Sequence, residues 1–270
     1  MTVRSALEVA TITDAGVVRS FNEDTIATEL DLGLAVVADG MGGYKAGDVA
    51  SGMAASIVVE EVKRQLREAG PDTDAFSRFL REAVNKANQA IYQAARANPQ
   101  YHGMGTTLVT ALFHDNRLYF THVGDSRLYR LRQGKLVVLT QDHSILQEQV
   151  TLGLISADEA KTSHNRNLVT RALGVEPGVE CDVTVREAKP GDIFLLCSDG
   201  LNDMVDDADI ELALGALQAN PPLTVRQLVM MANDNGGHDN ISVILVKVLN
   251  PFPAVEPAKS LLDRLFGWLK

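Results

Sequence analysis

Residues 107–140 read TLVTALF-HDN-RLYFTHV-GD-SRLYRLR-QG-KLVVLT, and this stretch decides the fold class. Four runs rich in β-branched, aliphatic and aromatic residues (107–113, 117–123, 126–132 and 135–140) are separated by HDN, GD and QG. Those connections are hairpin-type turn signals, so the spacing predicts an antiparallel meander. Upstream, 47–68 carries Val49, Met53, Ile57, Val58, Val62 and Leu66 at helical spacing. Residues 74–97 do the same with Phe76, Phe79, Leu80, Val84, Ala87, Ile91 and Ala95. The run GLAVVA (33–38) ends in Asp39-Gly40 and reads as a buried strand. Downstream, 144–166 loses the alternation and reads as one or two short helices. Strands are expected near 180–187, at 193–198 and at 240–248, and helices at 207–219 and 224–234. Strands grouped beside long helix pairs, without strict βαβ alternation, predict an α+β fold with antiparallel sheets. Pro251, Pro253 and Pro257 mark a linker (250–259) between a folded body (1–249) and a tail (260–270).

The formal charge of −10 offers no basic face for nucleic acid or anionic lipid. An acidic excess suits metal binding, although solvated surface carboxylates are the plainer explanation of the total by itself. Two cysteines, Cys181 and Cys197, without CxxC spacing argue against a disulfide framework or a zinc site. The N-terminal MTVRSALEVATITDAG lacks an apolar secretory core, and no apolar run reaches the roughly 18 residues of a membrane span. A cytoplasmic location is expected.

Apolar runs repeatedly meet aspartate: AVVADG at Asp39, THVGDS at Asp125, FLLCSDG at Asp199, and Asp239-Asn240 before ISVILVKV. A further acidic point, Asn22-Glu23-Asp24, follows Arg19. One such aspartate is ordinarily a turn former or helix cap. Several converging strand ends would instead place carboxylates close enough to repel unless cations neutralise them. Carboxylate oxygen without a Cys/His cluster favours Mg²⁺ or Mn²⁺ over zinc, and the spacing is too wide for an EF-hand loop. Two such ions can hold a hydroxide and position a phosphoryl group for in-line attack. Gly40, Gly42 and Gly43 surround Asp39, so Gly40 could lend its carbonyl to a metal; no G-K-[ST] follows, which excludes a P-loop. Arg19 is the candidate phosphate fork.

These residues fall in an ordered set: T-D-x-G-x-x-R-x-x-N-E-D (13–24), V-A-D-G-M-G-G (37–43), G-T-T (105–107), V-G-D-S-R (123–127), D-H-S (142–144), T-R-A-L-G (170–174), S-D-G-L (198–201) and D-N-I-S-V (239–243). The set resembles the type-2C Ser/Thr phosphatases, and their bacterial branch most closely, from about residue 8 to 248. The resemblance implies a four-layer α/β/β/α sandwich with a binuclear Mg²⁺ or Mn²⁺ site in a cleft at one end of the sheets. It implies hydrolysis of phosphoserine and phosphothreonine by direct attack of a metal-bound water or hydroxide. Carried over by motif, Asp39 bridges both metals and Gly40 offers its carbonyl to one. Asp199 and Asp239 complete the other, Glu23 and Asp24 act through waters, and Asp125 with Asp199 matches a third-metal site. Arg19 grips the substrate phosphate, and 144–166 corresponds to a mobile flap. Met41 stands where animal members carry a histidine proposed as general acid, which points to a metal-bound water as proton donor; His143 and His238 read as structural.

The implied partners are phosphorylated proteins, among them a cognate Ser/Thr kinase and its targets. The alternative from another class is a catalytically inactive phosphatase-like domain that binds a partner, although such domains usually lose a metal aspartate and here all three are present. In the tail, Leu261, Leu262, Leu265, Phe266, Trp268 and Leu269 fall within an arc of about 160° on a helical projection. This amphipathic helix either covers its own domain or docks on a partner protein, with a weaker case for a membrane surface.

Overall fold

The computed structural model describes residues 2–42, 46–69, 75–156, 159 and 168–253. Two antiparallel sheets form its centre. The first contains β1 (Leu7–Asp14), β7 (Arg127–Arg132), β8 (Lys135–Val138), β10 (Ile193–Cys197) and β11 (Ile241–Val248), in the order β1-β11-β10-β7-β8. The second contains β2 (Asp24–Glu29), β3 (Leu34–Met41), β5 (Leu108–His114), β6 (Arg117–Val123) and β9 (Thr184–Glu187), in the order β2-β3-β5-β6-β9. The short β4 (Gly105–Thr106) pairs with the end of β3. After a single turn α1 (Val3–Ala6), the long helices α2 (Ala46–Ala69) and α3 (Ala75–Ala97) cover the second sheet. Following α4 (Ile145–Thr151) and the one-turn α5 (Asp199–Asn202), helices α6 (Asp207–Leu217) and α7 (Pro221–Asp234) cover the first. The expected four-layer sandwich is present.

Why the central strands read as continuous apolar runs follows from this layering. Side chains alternate faces along a strand. Leu34, Val36 and Ala38 of β3 pack under α2 and α3, whereas Ala35 and Val37 enter the layer between the sheets. In β10, Ile193, Leu195 and Cys197 face α6 and α7, while Phe194 and Leu196 meet the other sheet. Both faces are covered, so the polar alternation of a half-exposed antiparallel sheet is lost.

Residues 107–140 do not form one meander. β5–β6 and β7–β8 are hairpins in different sheets, and the chain crosses between them at Gly124-Asp125-Ser126. Gly124 has φ +101°, and a Cβ there would stand 2.7 Å from the Thr107 side chain. The crossing therefore needs glycine for both conformation and space. Other expectations shift for local reasons. Strands β1 and β2 carry no clear strand signal because each lies at a sheet edge and holds exposed or partly exposed polar residues such as Glu8, Thr11 and Thr25. The helix expected at 224–234 begins at Pro221, with Asn220 Oδ1 accepting from Leu223 N at 3.2 Å. Proline is well tolerated in a first helical turn. The strand expected near 180–187 is confined to Thr184–Glu187.

The flap region begins as a helix capped by Ser144, whose Oγ accepts from Gln147 N at 3.2 Å; residues 157–158 and 160–167 lie outside the described residues. So does the 260–270 tail. The folded body extends past the expected boundary at 249. Phe252 is buried against Phe113, and its N–H donates to Asn116 Oδ1 at 2.7 Å.

Helices α2 and α3 are joined by a buried acid. Glu61, 5% exposed, accepts from Lys86 Nζ at 2.6 Å, from Gln65 Nε2 at 2.8 Å and from Arg64. The Arg64 hydrogen bond, followed by those from Lys86 and Gln65, outweighs burial and lowers the carboxyl pKa from 4.5 to about 2. A depressed carboxylate stabilises the fold above its unfolded pKa, and that stability drains as pH falls from 4.5 towards about 2. Glu61→Gln should cost about 1–3 kcal/mol at neutral pH. It should also flatten the acid limb of a urea-midpoint profile, and an unchanged limb would refute the assignment.

Candidate active site

The two sheets meet at one end, and the acidic residues gather there. Asp24 and Asp39 are direct cross-strand neighbours in the β2–β3 ladder. Asp39 lies within β3, which continues to Met41, and does not end the strand. Its backbone is held by the G-T-T segment: Asp39 N donates to Thr107 Oγ1 at 3.1 Å, and Thr107 N donates to Asp39 O at 2.8 Å. Thr106 Oγ1 also donates to Asp39 O at 2.8 Å. From the other sheet, Asp199 opens α5 directly after β10, and Asp239 precedes β11. Ser198 Oγ donates to Asp24 Oδ2 at 2.8 Å, tying the two sheets together inside the cluster.

Electrostatics record the convergence. Burial, then the charges of Asp24, Asp199, Asp125 and Asp239, push the Asp39 carboxyl well above the usual carboxylate range. Asp199 is raised likewise, by burial first and then by Asp125, Asp203, Asp239 and Asp24. Burial raises Asp24 to about 6 and Asp125 to about 7. Glu23 is also raised by burial, with Gly47 N–H opposing the shift. Like charges cannot all ionise in so dry a place without cations.

Whether these residues suit a metal can be tested on their oxygens. Glu23 Oε1, Asp24 Oδ1 and Asp199 Oδ1 are buried with no hydrogen-bond partner among the described residues. Buried acceptors of that kind are costly unless something binds them. The donors are hard oxygens, which suits Mg²⁺ or Mn²⁺. At Gly40, a Cβ would stand 2.1 Å from Gly47 O and 2.5 Å from Glu23 O, so only glycine permits the close crossing of β3, α2 and the Glu23 backbone. Among the described residues no group of three or more His, Cys, Asp or Glu side chains is already arranged to hold a metal ion. The Asp239 carboxylate is engaged by Arg19.

Arg19 Nη2 donates to Asp239 Oδ2 at 2.7 Å across 220 residues of sequence, with its side chain 52% exposed. The guanidinium thus stands at the mouth of the cluster. Its loop is held by Asn240, a residue sequence reasoning quoted only as part of a motif. Asn240 Nδ2 donates to Ala15 O at 3.0 Å and to Phe21 O at 2.9 Å, while Oδ1 accepts from Glu23 N at 2.8 Å. Val17 N and Val18 N donate to Gly237 O at 2.9 and 3.1 Å. Asp142 likewise stands only within D-H-S, and Asp203 lies in no motif; its position four residues after Asp199, one helical turn on, was the available signal.

Beside the cluster runs an acidic groove of about 490 Å³ lined by Asp125, Asp199, Asp203, Asp206 and Asp207. Arg127, on its wall, is engaged by Asp142 through Nε at 3.0 Å and Nη2 at 2.7 Å. His143 meets the crossing segment: Nδ1 accepts from Gly124 N at 3.2 Å and the ring stacks on His122. Burial first, then His122 and Arg171, lower its pKa to about 4, which keeps it neutral.

A four-layer sandwich with converging aspartates at one end of its sheets defines a class of metal-dependent phosphatases, and comparison with known proteins gives the same class. The family model for protein phosphatase 2C matches residues 17–236, and the chain belongs to that family. The Ser/Thr protein phosphatase PstP of Mycobacterium tuberculosis is 40% identical over 250 residues, covering 92% of this chain and 46% of PstP. The chain thus spans about half the length of that relative. The Ser/Thr phosphatase stp of Listeria monocytogenes is 38% identical over 240 residues, 87% of this chain and 93% of stp. The PstP catalytic domain, solved in complex with two manganese ions, superposes with a TM-score of 0.79 at 39% identity, over 90% of this chain and 99% of that one. No helix among the described residues is long and apolar enough to cross a membrane.

Proposed function

We propose that the chain is a metal-dependent protein phosphatase acting on phosphoserine and phosphothreonine. The observation that carries this reading is the set of buried carboxylate oxygens of Glu23, Asp24 and Asp199, without a partner among the described residues, beside the charge-crowded Asp39. Relatives named as Ser/Thr phosphatases support it. Two divalent ions, Mg²⁺ or Mn²⁺, would supply the activated water and the charge that offsets a transferring phosphoryl group. Asp39 is assigned to both ions, the Gly40 carbonyl to one, and Asp199 and Asp239 to the other. Glu23 and Asp24 are assigned through waters, and Asp125 with Asp199 to a third ion. A non-catalytic partner-binding role would not require this complete set of acids.

Substrates on this reading are phosphorylated proteins in the cytoplasm, a cognate Ser/Thr kinase and its targets among them. The test is hydrolysis of p-nitrophenyl phosphate and a phosphothreonine peptide with and without Mn²⁺. Turnover of both only with the ion is expected; a peptide left intact at saturating Mn²⁺ would overturn the reading.

Arg19 is assigned to the substrate phosphate, a role its placement at the mouth beside Asp239 supports. Arg19→Ala should raise KM about tenfold with a smaller loss in kcat, because the contact is made before the transition state. Lysine should restore only part, lacking the bidentate fork. An unchanged KM in both variants would refute the role.

A further inference from the structure

We infer that Val17, Val18 and Phe21 form an apolar rim that reads the residues flanking the phosphorylated side chain of a substrate. The inference rests on the proposed phosphatase reading and names the substrate class it selects. These residues are 67, 60 and 58% exposed, and all lie within two positions of Arg19. Isolated exposed apolar side chains need no explanation, whereas contiguous ones mark contact surfaces.

This loop is not a floppy connection that shows apolar groups by accident. Gly237 O receives Val17 N and Val18 N, and Asn240 Nδ2 holds the carbonyls of Ala15 and Phe21. A Cβ at Gly16 would stand 2.3 Å from Asp239 O, so the loop is seated directly on the segment carrying Asp239. The backbone is fixed, and it leaves three apolar side chains exposed within two residues of Arg19.

Geometry then selects the occupant. Consecutive Cα atoms are about 3.8 Å apart, so residues one or two positions from a phosphoresidue held at Arg19 come within about 4–8 Å of it. Those are the substrate positions that reach the rim. An apolar side chain there is removed from water against Val17, Val18 or Phe21. A glycine or an acidic side chain there gains no such burial. The preferred substrate therefore carries apolar residues beside the phosphothreonine or phosphoserine.

The experiment uses the full chain with Mn²⁺ and three substrates: free phosphothreonine, and two short peptides whose phosphothreonine is flanked by leucines or by glycines. Wild type should show kcat/KM about tenfold higher for the leucine peptide, the effect of partly burying one such side chain. Combining Val17→Ser, Val18→Ser and Phe21→Ser should bring the two peptides within about twofold of each other, through KM, and leave free phosphothreonine unchanged. Equal wild-type rates on both peptides would overturn the rim. So would an equal loss on all three substrates, which would mean that the loop only positions Arg19. Sedimentation with anionic vesicles that the triple variant abolishes would assign the rim to a membrane instead. No turnover of any substrate would sink the phosphatase reading and this one with it, whereas turnover without flank preference sinks the rim alone.

Discussion

Asp39→Asn is expected to leave less than about a tenth of wild-type activity at saturating Mn²⁺ while making the metal-free protein more stable. The two effects share one cause. Asp39 sits opposite Asp24 in the β2–β3 ladder, where like charges directly across destabilise a sheet. Burial and the charges of Asp24, Asp199, Asp125 and Asp239 all disfavour its ionised form. Asparagine keeps the shape, and the backbone anchors to Thr106 and Thr107 do not involve the side chain. Removing the charge should gain about 1–3 kcal/mol in urea unfolding with EDTA. Wild type should recover more than this on adding Mn²⁺, since a ligand at a hundred times its Kd contributes about 2.7 kcal/mol. The variant should gain little. A variant less stable than wild type in EDTA, or one stabilised equally by Mn²⁺, would show that Asp39 is not the shared ligand.

Asn240→Ala should damage both stability and substrate binding. The side chain is 5% exposed and satisfies two carbonyls and one N–H from the segment between Ala15 and Glu23. Truncation strands those groups at an expected cost of about 2–4 kcal/mol, similar with EDTA and with Mn²⁺. Because the same segment carries Arg19, kcat/KM should fall by about ten- to a hundredfold, mostly through KM. An unaltered urea midpoint would remove Asn240 from its assigned position as the holder of this loop.

The acidic residues were legible because each interrupts or adjoins an apolar run, as at AVVADG and FLLCSDG, and because eight motifs follow in order. The long helices α2 and α3 were legible because one apolar stripe at helical spacing needs no knowledge of the partner. Asn240 and Thr107 stand only inside motifs, since a hydrogen bond to a backbone 68 residues away, as between Thr107 and Asp39, or 225 away, as from Asn240 to Ala15, leaves no local pattern.

By itself the amino-acid sequence determined which segments are strands or helices over most of the body, the acidic character of the site and the hard-oxygen donor set. Only the tertiary structure decided which strands pair. A turn signal between two strand-like runs is local, so it reads the same whether the next strand continues the sheet or crosses to the other. That is why residues 107–140 suggested one meander, while β6 and β7 lie in separate sheets joined through Gly124. The pairing in turn sets Asp24 against Asp39, and the meeting of the sheets brings Asp199 and Asp239 to them. Convergence of charges from distant parts of the chain is a property of packing, and no local period encodes it.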